Sequence, residues 1–197
     1  MELRELKAPL SGAFRQLGWG LVLVMININI SGLDILPDFI GYIMAAFALN
    51  QLGRKHTSFT KAKWTAVILI AASLVQIIQG LGANFLYLGD KTLQLNLLSV
   101  GVLMLYTLLV YWIFEGLIAV AWAHQLRQLR HVAAMRRVYY LTVNVIVMIL
   151  LPFSLYVPDV LTIVVLPVFG LLSLIAWFLL IRLCFRYAKE YIDTEKI

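Results

Sequence analysis

Long apolar runs, each broken by a short polar or basic stretch, recur along the chain. Six are legible, at residues 16–32, 37–53, 64–81, 96–123, 139–156 and 160–181. Their apolar residues are continuous rather than alternating, which predicts helices and not the strands of a barrel. The run at 37–53 is near the lower length limit for crossing a bilayer. The run at 96–123 would measure about 42 Å as a helix, so it must tilt or project beyond the hydrocarbon. The expected fold is an all-α integral membrane protein with six transmembrane helices arranged as three antiparallel hairpins. Residues 1–15 read as an interfacial tail and residues 182–197 as a polar C-terminal tail.

The stretch Leu33–Leu52 carries the densest set of specific features. Pro37 suits the first turn of a helix, where its missing N–H costs nothing. Asp38 then lies where the helix dipole favours a negative charge. Asp34, or the backbone after it, is expected to close the helix before. Val157-Pro158-Asp159 echoes Leu36-Pro37-Asp38, and Gly89-Asp90 sits in the turn between them in sequence, so the hairpins are candidates for relation by an axis along the membrane normal. The simplest role for Asp34, Asp38 and Asp159 is capping and turn formation. The alternative places Asp38 and Tyr42, one helical turn apart, at an outward-facing entrance.

Composition agrees with the pattern. Of 197 residues, 62% are hydrophobic and 13% charged, with mean hydropathy +0.91, against about a quarter charged in soluble domains. The net charge of +6 does not point to nucleic acid, because the basic residues lie in the short connections. Of 16 Lys and Arg, Lys91 alone falls in the three connections opposite the termini. By the positive-inside rule both termini face the cytoplasm of a bacterial cell membrane, with Trp19, Trp64 and Trp122 as an aromatic belt on that side. The segment His124–His131 is expected to extend the fourth helix; it is amphipathic and basic, which suits anionic lipids at the cytoplasmic face, and Arg136 and Arg137 are expected to close the loop after it. Glu2 and Glu5 spoil the basic region of a cleavable signal, so the first run is expected to remain as a helix.

Glu115 is the sharpest chemical candidate. It lies about 13 Å before the cytoplasmic end of the fourth run, at about 1.5 Å per residue. A charged side chain at such depth is expected to face protein or a water-filled cavity. Its i, i+4 neighbours Tyr111 and Thr107 complete a polar stripe, and no basic partner is apparent within the runs. Either the stripe binds a proton or cation, or it packs the bundle as a hydrogen-bonded group. Asn27, Asn144 and the Ser73–Gln76–Gln79 stripe could line the same interior, or join helices as buried amides do. Asn27 and Asn29, two residues apart, cannot both face one cavity.

Catalytic chemistry finds little support. One cysteine, Cys184, excludes an internal disulfide and a multi-cysteine metal site. His56, His124 and His131 have no metal-ligand spacing. No phosphate loop with lysine and no serine elbow occurs, so no cofactor, metal or ATP-driven engine is expected.

At Leu33–Leu52 the sequence resembles a group of small multi-pass membrane proteins of Gram-positive bacteria that carry a similar Leu-Pro-Asp-Phe-Ile-Gly-Tyr segment after their first span. That resemblance implies a bacterial cytoplasmic-membrane protein and brings no activity or site. Six helices in under 200 residues also resemble the substrate-binding components of vitamin uptake systems, which dock on an energising module through small-residue faces. Ala45 and Ala46 offer small residues, without a small-x-x-x-small motif in the first run. The leading functional class is small-solute or ion transport, alone, as a homo-oligomer, or as the membrane subunit of a larger system. The competing class is a membrane protein that binds and regulates a partner, in signalling, immunity or envelope stress.

The orientation is directly testable. In a Cys184→Ser background, Gly89→Cys should react with an impermeant thiol reagent in intact cells and Lys61→Cys should not. The reverse pattern would invert every side assignment.

Overall fold

The computed structural model describes residues 10–26, 29–30, 33–34, 38–80, 91–153 and 159–194. Among them are six helices: α1 (Leu10–Met25), α2 (Asp38–Leu52), α3 (Thr57–Gly80), α4 (Lys91–Ala123), α5 (Arg127–Phe153) and α6 (Asp159–Thr194). The remaining regular structure is a two-residue antiparallel ladder, β1 (Asn29–Ile30) with β2 (Leu33–Asp34), in which Asn29 opposes Asp34. Three helical segments are long and apolar enough to cross a membrane, Val100–Ala123, Arg127–Leu150 and Pro167–Glu190. The helical, membrane-compatible character expected from the sequence is therefore present. Three candidates meet the length and apolarity requirement among the described residues, where the sequence pattern predicts six. α1 and α2 have 16 and 15 residues, and α3 opens on the polar turns of Thr57, Ser58, Thr60, Lys61 and Lys63.

Several element limits differ from the apolar runs, each for a local reason. α1 starts at Leu10, so residues 10–15 belong to the helix and not to a separate tail. It stops at Met25, and Asn29 lies in a strand rather than deep in a span. The sequence there alternates isoleucine with asparagine, and β-branched residues with short polar ones suit a strand better than a helix. Asp34 correspondingly sits in β2 and does not close a helix. α4 begins at Lys91, within the stretch expected to be a polar connection. α6 runs on through Arg182 and Arg186 to Thr194, and passes Pro167 without ending. Asp38 opens α2 and Asp159 opens α6, as their sequence contexts predict. Pro37, Pro158 and Gly89-Asp90 lie outside the described residues.

The largest correction concerns the connection after the fourth run. His124–His131 is not an extension of that helix. α4 ends at Ala123, and Gln125 adopts a left-handed φ of 55°. The Gln125 N–H donates to Trp122 O at 3.1 Å and the Leu126 N–H to Ala121 O at 2.9 Å, the pair of bonds that closes a Schellman turn. α5 then starts at Arg127, so Arg136 and Arg137 stand well inside a helix rather than in a loop.

Each helix packs against the next in sequence, and α6 closes the circuit on α1. The core inside this ring holds Phe14, Leu17, Leu21, Leu49, Phe59 and Phe114, all fully buried. The α1–α2 contact is backbone on backbone. A Cβ on Gly20 would lie 2.8 Å from Ala45 N and 3.0 Å from Gly41 O, and one on Gly41 would lie 2.8 Å from Gly20 O and Val24 N. The small residues of the second run thus find their counterpart in Gly20. Large apolar side chains also cover the outer surface, among them Ile68, Met104, Ile149, Leu171 and Phe178. That inversion of the soluble rule is what a lipid-facing exterior requires.

Gly20→Ala and Gly41→Ala should each destabilise the purified protein by about 1–3 kcal/mol, the usual range for overpacking. Gly101 and Gly170 lie inside helices with nothing within 4 Å of an added Cβ, so alanine there should leave the detergent melting temperature unchanged or raise it. Equal melting of all four variants would remove the α1–α2 seam as a constraint.

Candidate functional site

The polar residues singled out from the sequence do not converge on one place. Glu115 is ion-paired with Arg137, one turn of α4 lying against one turn of α5. The expectation of no basic partner fails because Arg137 belongs to α5 and not to a loop. The guanidinium also sits 6.0 Å from the Tyr111 ring centroid, so Tyr111, Glu115 and Arg137 form one cluster. Thr107 is not part of it, since its hydroxyl donates to Leu103 O of its own helix at 2.8 Å.

Other basic side chains lie near the level of Glu115 in the bundle. Trp112, one turn further from the end of α4, already lies under the Lys61 ammonium at 4.4 Å. Arg136 reaches across at the same end of the bundle to donate to Leu179 O at 2.7 Å. Lys61, Arg136 and Arg137 thus gather near this level, and the Glu115 and Arg137 side chains remain 37% and 29% exposed.

Asn144 is 1% exposed and takes the helix-joining role. Its amide donates to Tyr140 O at 2.9 Å, and its Oδ1 accepts from the Ser173 hydroxyl of α6 at 3.5 Å. Ser73 donates to Ile70 O within α3. Gln76 and Gln79 fall in α3, with side chains outside the described residues, and Asn27 lies outside them altogether. Among the described residues no three His, Cys, Asp or Glu side chains gather as metal ligands.

A second cluster, deeper in the bundle, was only half legible in the sequence. Asp38 and Tyr42 lie one turn apart on α2, and Tyr42 is buried. The Tyr42 ring meets the edge of Tyr106 from α4, with centroids 6.3 Å apart at 84°. Tyr106 stacks on Trp177 of α6 at 4.5 Å and 23°, and Tyr140 of α5 lies 6.4 Å from the same indole. Asp38, one turn before Tyr42, is the carboxyl that α2 brings to this end of the cluster. Trp177 is held in place by donating its indole N–H to Leu21 O of α1 at 3.2 Å. The Tyr140 hydroxyl is fully buried and has no hydrogen-bond partner among the described residues. Such a group costs about 1–3 kcal/mol unless something pairs with it.

Four helices thus contribute side chains to one site, a carboxyl, three phenols and an indole. Electron-rich ring faces together with a carboxylate attract cations, while each phenol can donate and accept. Tyr106, Tyr140 and Trp177 escaped the sequence reading because an aromatic residue in an apolar run looks like core. Comparison with protein-family models, curated proteins and solved structures finds no match for the chain.

Removing one partner of the Glu115–Arg137 pair leaves the other charge alone, whereas removing both restores balance. Glu115→Leu and Arg137→Leu should each lower the melting temperature, and the double variant should melt above either single one. Additive losses in that cycle would show that the two side chains do not depend on each other.

Proposed function

We propose that the chain is a six-span helical protein of a bacterial cytoplasmic membrane, with three hairpins and both termini inside, that handles a small cationic solute or ion. The site is Asp38, Tyr42, Tyr106, Tyr140 and Trp177. One observation carries the reading: a fully buried Tyr140 hydroxyl with no hydrogen-bond partner among the described residues, beside the stacked rings of Tyr106 and Trp177. A buried polar group left open in an otherwise apolar core is best accounted for by something that binds there. Intramembrane carboxyls flanked by polar groups typically mark a solute or ion path. Glu115 leaves the leading role, because its pairing with Arg137 satisfies its charge.

The membrane arrangement is supported by the apolar exterior and by the basic residues gathered at one end of the bundle. From Lys61 to the end of α3 is about 28 Å at about 1.5 Å per residue, which matches a hydrocarbon core of about 30 Å. A regulator that binds a membrane partner is the second reading, favoured by the partly exposed Glu115–Arg137 pair on the flank of α4 and α5.

Tyr140→Phe deletes one oxygen and little else. The variant should melt at or above wild type, since it sheds an unpaired buried hydroxyl. Thermal shifts in detergent with sodium, potassium, choline and a simple primary amine then test the site. At a hundredfold excess over Kd, a cation that binds the folded state should stabilise wild type by about 2.7 kcal/mol, and Tyr140→Phe should lose that response. If wild type responds to none of the four, or the variant responds equally, the cation site fails and the partner-binding class takes its place.

A further inference from the structure

A second group of arginines lies on the seam between α5 and α6. The partly buried Arg136 side chain crosses that seam and donates to Leu179 O at 2.7 Å. A helix carbonyl points toward the C-terminus of its own helix, so this oxygen is aimed at the next turn of α6. That turn carries Arg182, three residues on and about 4.5 Å further along the axis. Arg186 follows one turn later on the same face. Both are exposed, and they are the charged side chains that neighbour Arg136.

The charges here do not balance. Glu190 Oε1 accepts from Arg186 Nε at 2.9 Å, whereas neither Arg136 nor Arg182 joins an ion pair among the described residues. Arg136 is turned onto α6 instead of out to water, which brings its charge toward that of Arg182. Like charges held side by side repel, and an anion between them removes that cost. The two oxygens of a carboxylate lie in one plane and suit one guanidinium fork. A phosphate has oxygens on several sides and can accept from two forks that arrive from different helices.

The position of the pair along α6 is equally specific. The exposed face of that helix is apolar at Leu171, Leu174, Ile175 and Phe178, and basic from Arg182 onward. The arginines therefore stand where the apolar stripe ends, within reach of a lipid headgroup and of aqueous phosphate alike.

We infer that Arg136 and Arg182 bind a phosphate group between α5 and α6. The inference is independent of the cation site, and only a lipid source for the phosphate rests on the membrane reading.

Two probes of the full chain in detergent test it. Native mass spectrometry with phosphatidylglycerol and phosphatidylcholine at equal concentration reads a lipid phosphate. Thermal shift with inorganic pyrophosphate, against sodium chloride of the same ionic strength, reads a soluble one. Wild type should retain phosphatidylglycerol several-fold over phosphatidylcholine, or be stabilised by pyrophosphate beyond the salt control, and the probe that responds identifies the source. Arg182→Gln should weaken that response roughly tenfold, the loss of one charged hydrogen-bonding group. Arg182 is exposed, so this variant should fold even if Arg136→Gln, which gives up the bond to Leu179 O, does not. Arg127→Gln, on the first turn of α5, should leave the response intact. No response of wild type to either probe would overturn the inference. So would an unchanged response in Arg182→Gln or in a folded Arg136→Gln, or an equal loss in Arg127→Gln.

Discussion

The two shortest helices, α1 and α2, depend on one contact that admits no side chain. Gly20 and Gly41 bring the backbones of α1 and α2 together where a single methyl would meet a carbonyl oxygen or an amide nitrogen. Without a hydrophobic driving force between helices in lipid, association relies on van der Waals contact at close range. The seam provides that range, and its consequences spread. It places Leu21 where Trp177 can bond to its carbonyl, and it sets Tyr42 facing inward toward Tyr106. The interior cluster is therefore built on two glycines that contribute no functional group.

α6 is fastened differently. Side-chain donors bond to main-chain carbonyls across it at four heights: Tyr139 to Leu172, Trp177 to Leu21, Arg136 to Leu179 and Tyr187 to Leu117. Tyr140 lies among these helices with a hydroxyl that follows none of those examples. The contrast matters, because the same fold has satisfied the neighbouring donors by reaching a carbonyl.

The architecture class was written in the length and continuity of the apolar runs. Asp38 and Asp159 mark helix starts through their position after proline. Element limits were harder, because hydropathy records how apolar a stretch is and not where its backbone turns. Gln125 illustrates this: nothing in the side chain announces a left-handed residue, where glycine would have done so. Missing that turn placed Arg137 in a loop, and the misplacement in turn left Glu115 apparently alone. The candidate site was legible through Asp38 and Tyr42 alone. Tyr106, Tyr140 and Trp177 are far apart in sequence, and their proximity is a product of the helix ring, which no local pattern encodes.

The distribution of the five tryptophans has an optical consequence. Trp19, Trp64 and Trp122 are more than half exposed, while Trp112 lies beneath the Lys61 ammonium. Trp177 alone is buried, stacked on Tyr106 and bonded to a main-chain carbonyl. The molecule therefore carries its own spectroscopic label at the centre of the aromatic cluster. With the other four indoles replaced by phenylalanine, emission from Trp177 would report events at that cluster, and a quencher confined to the aqueous phase would have no direct contact with it.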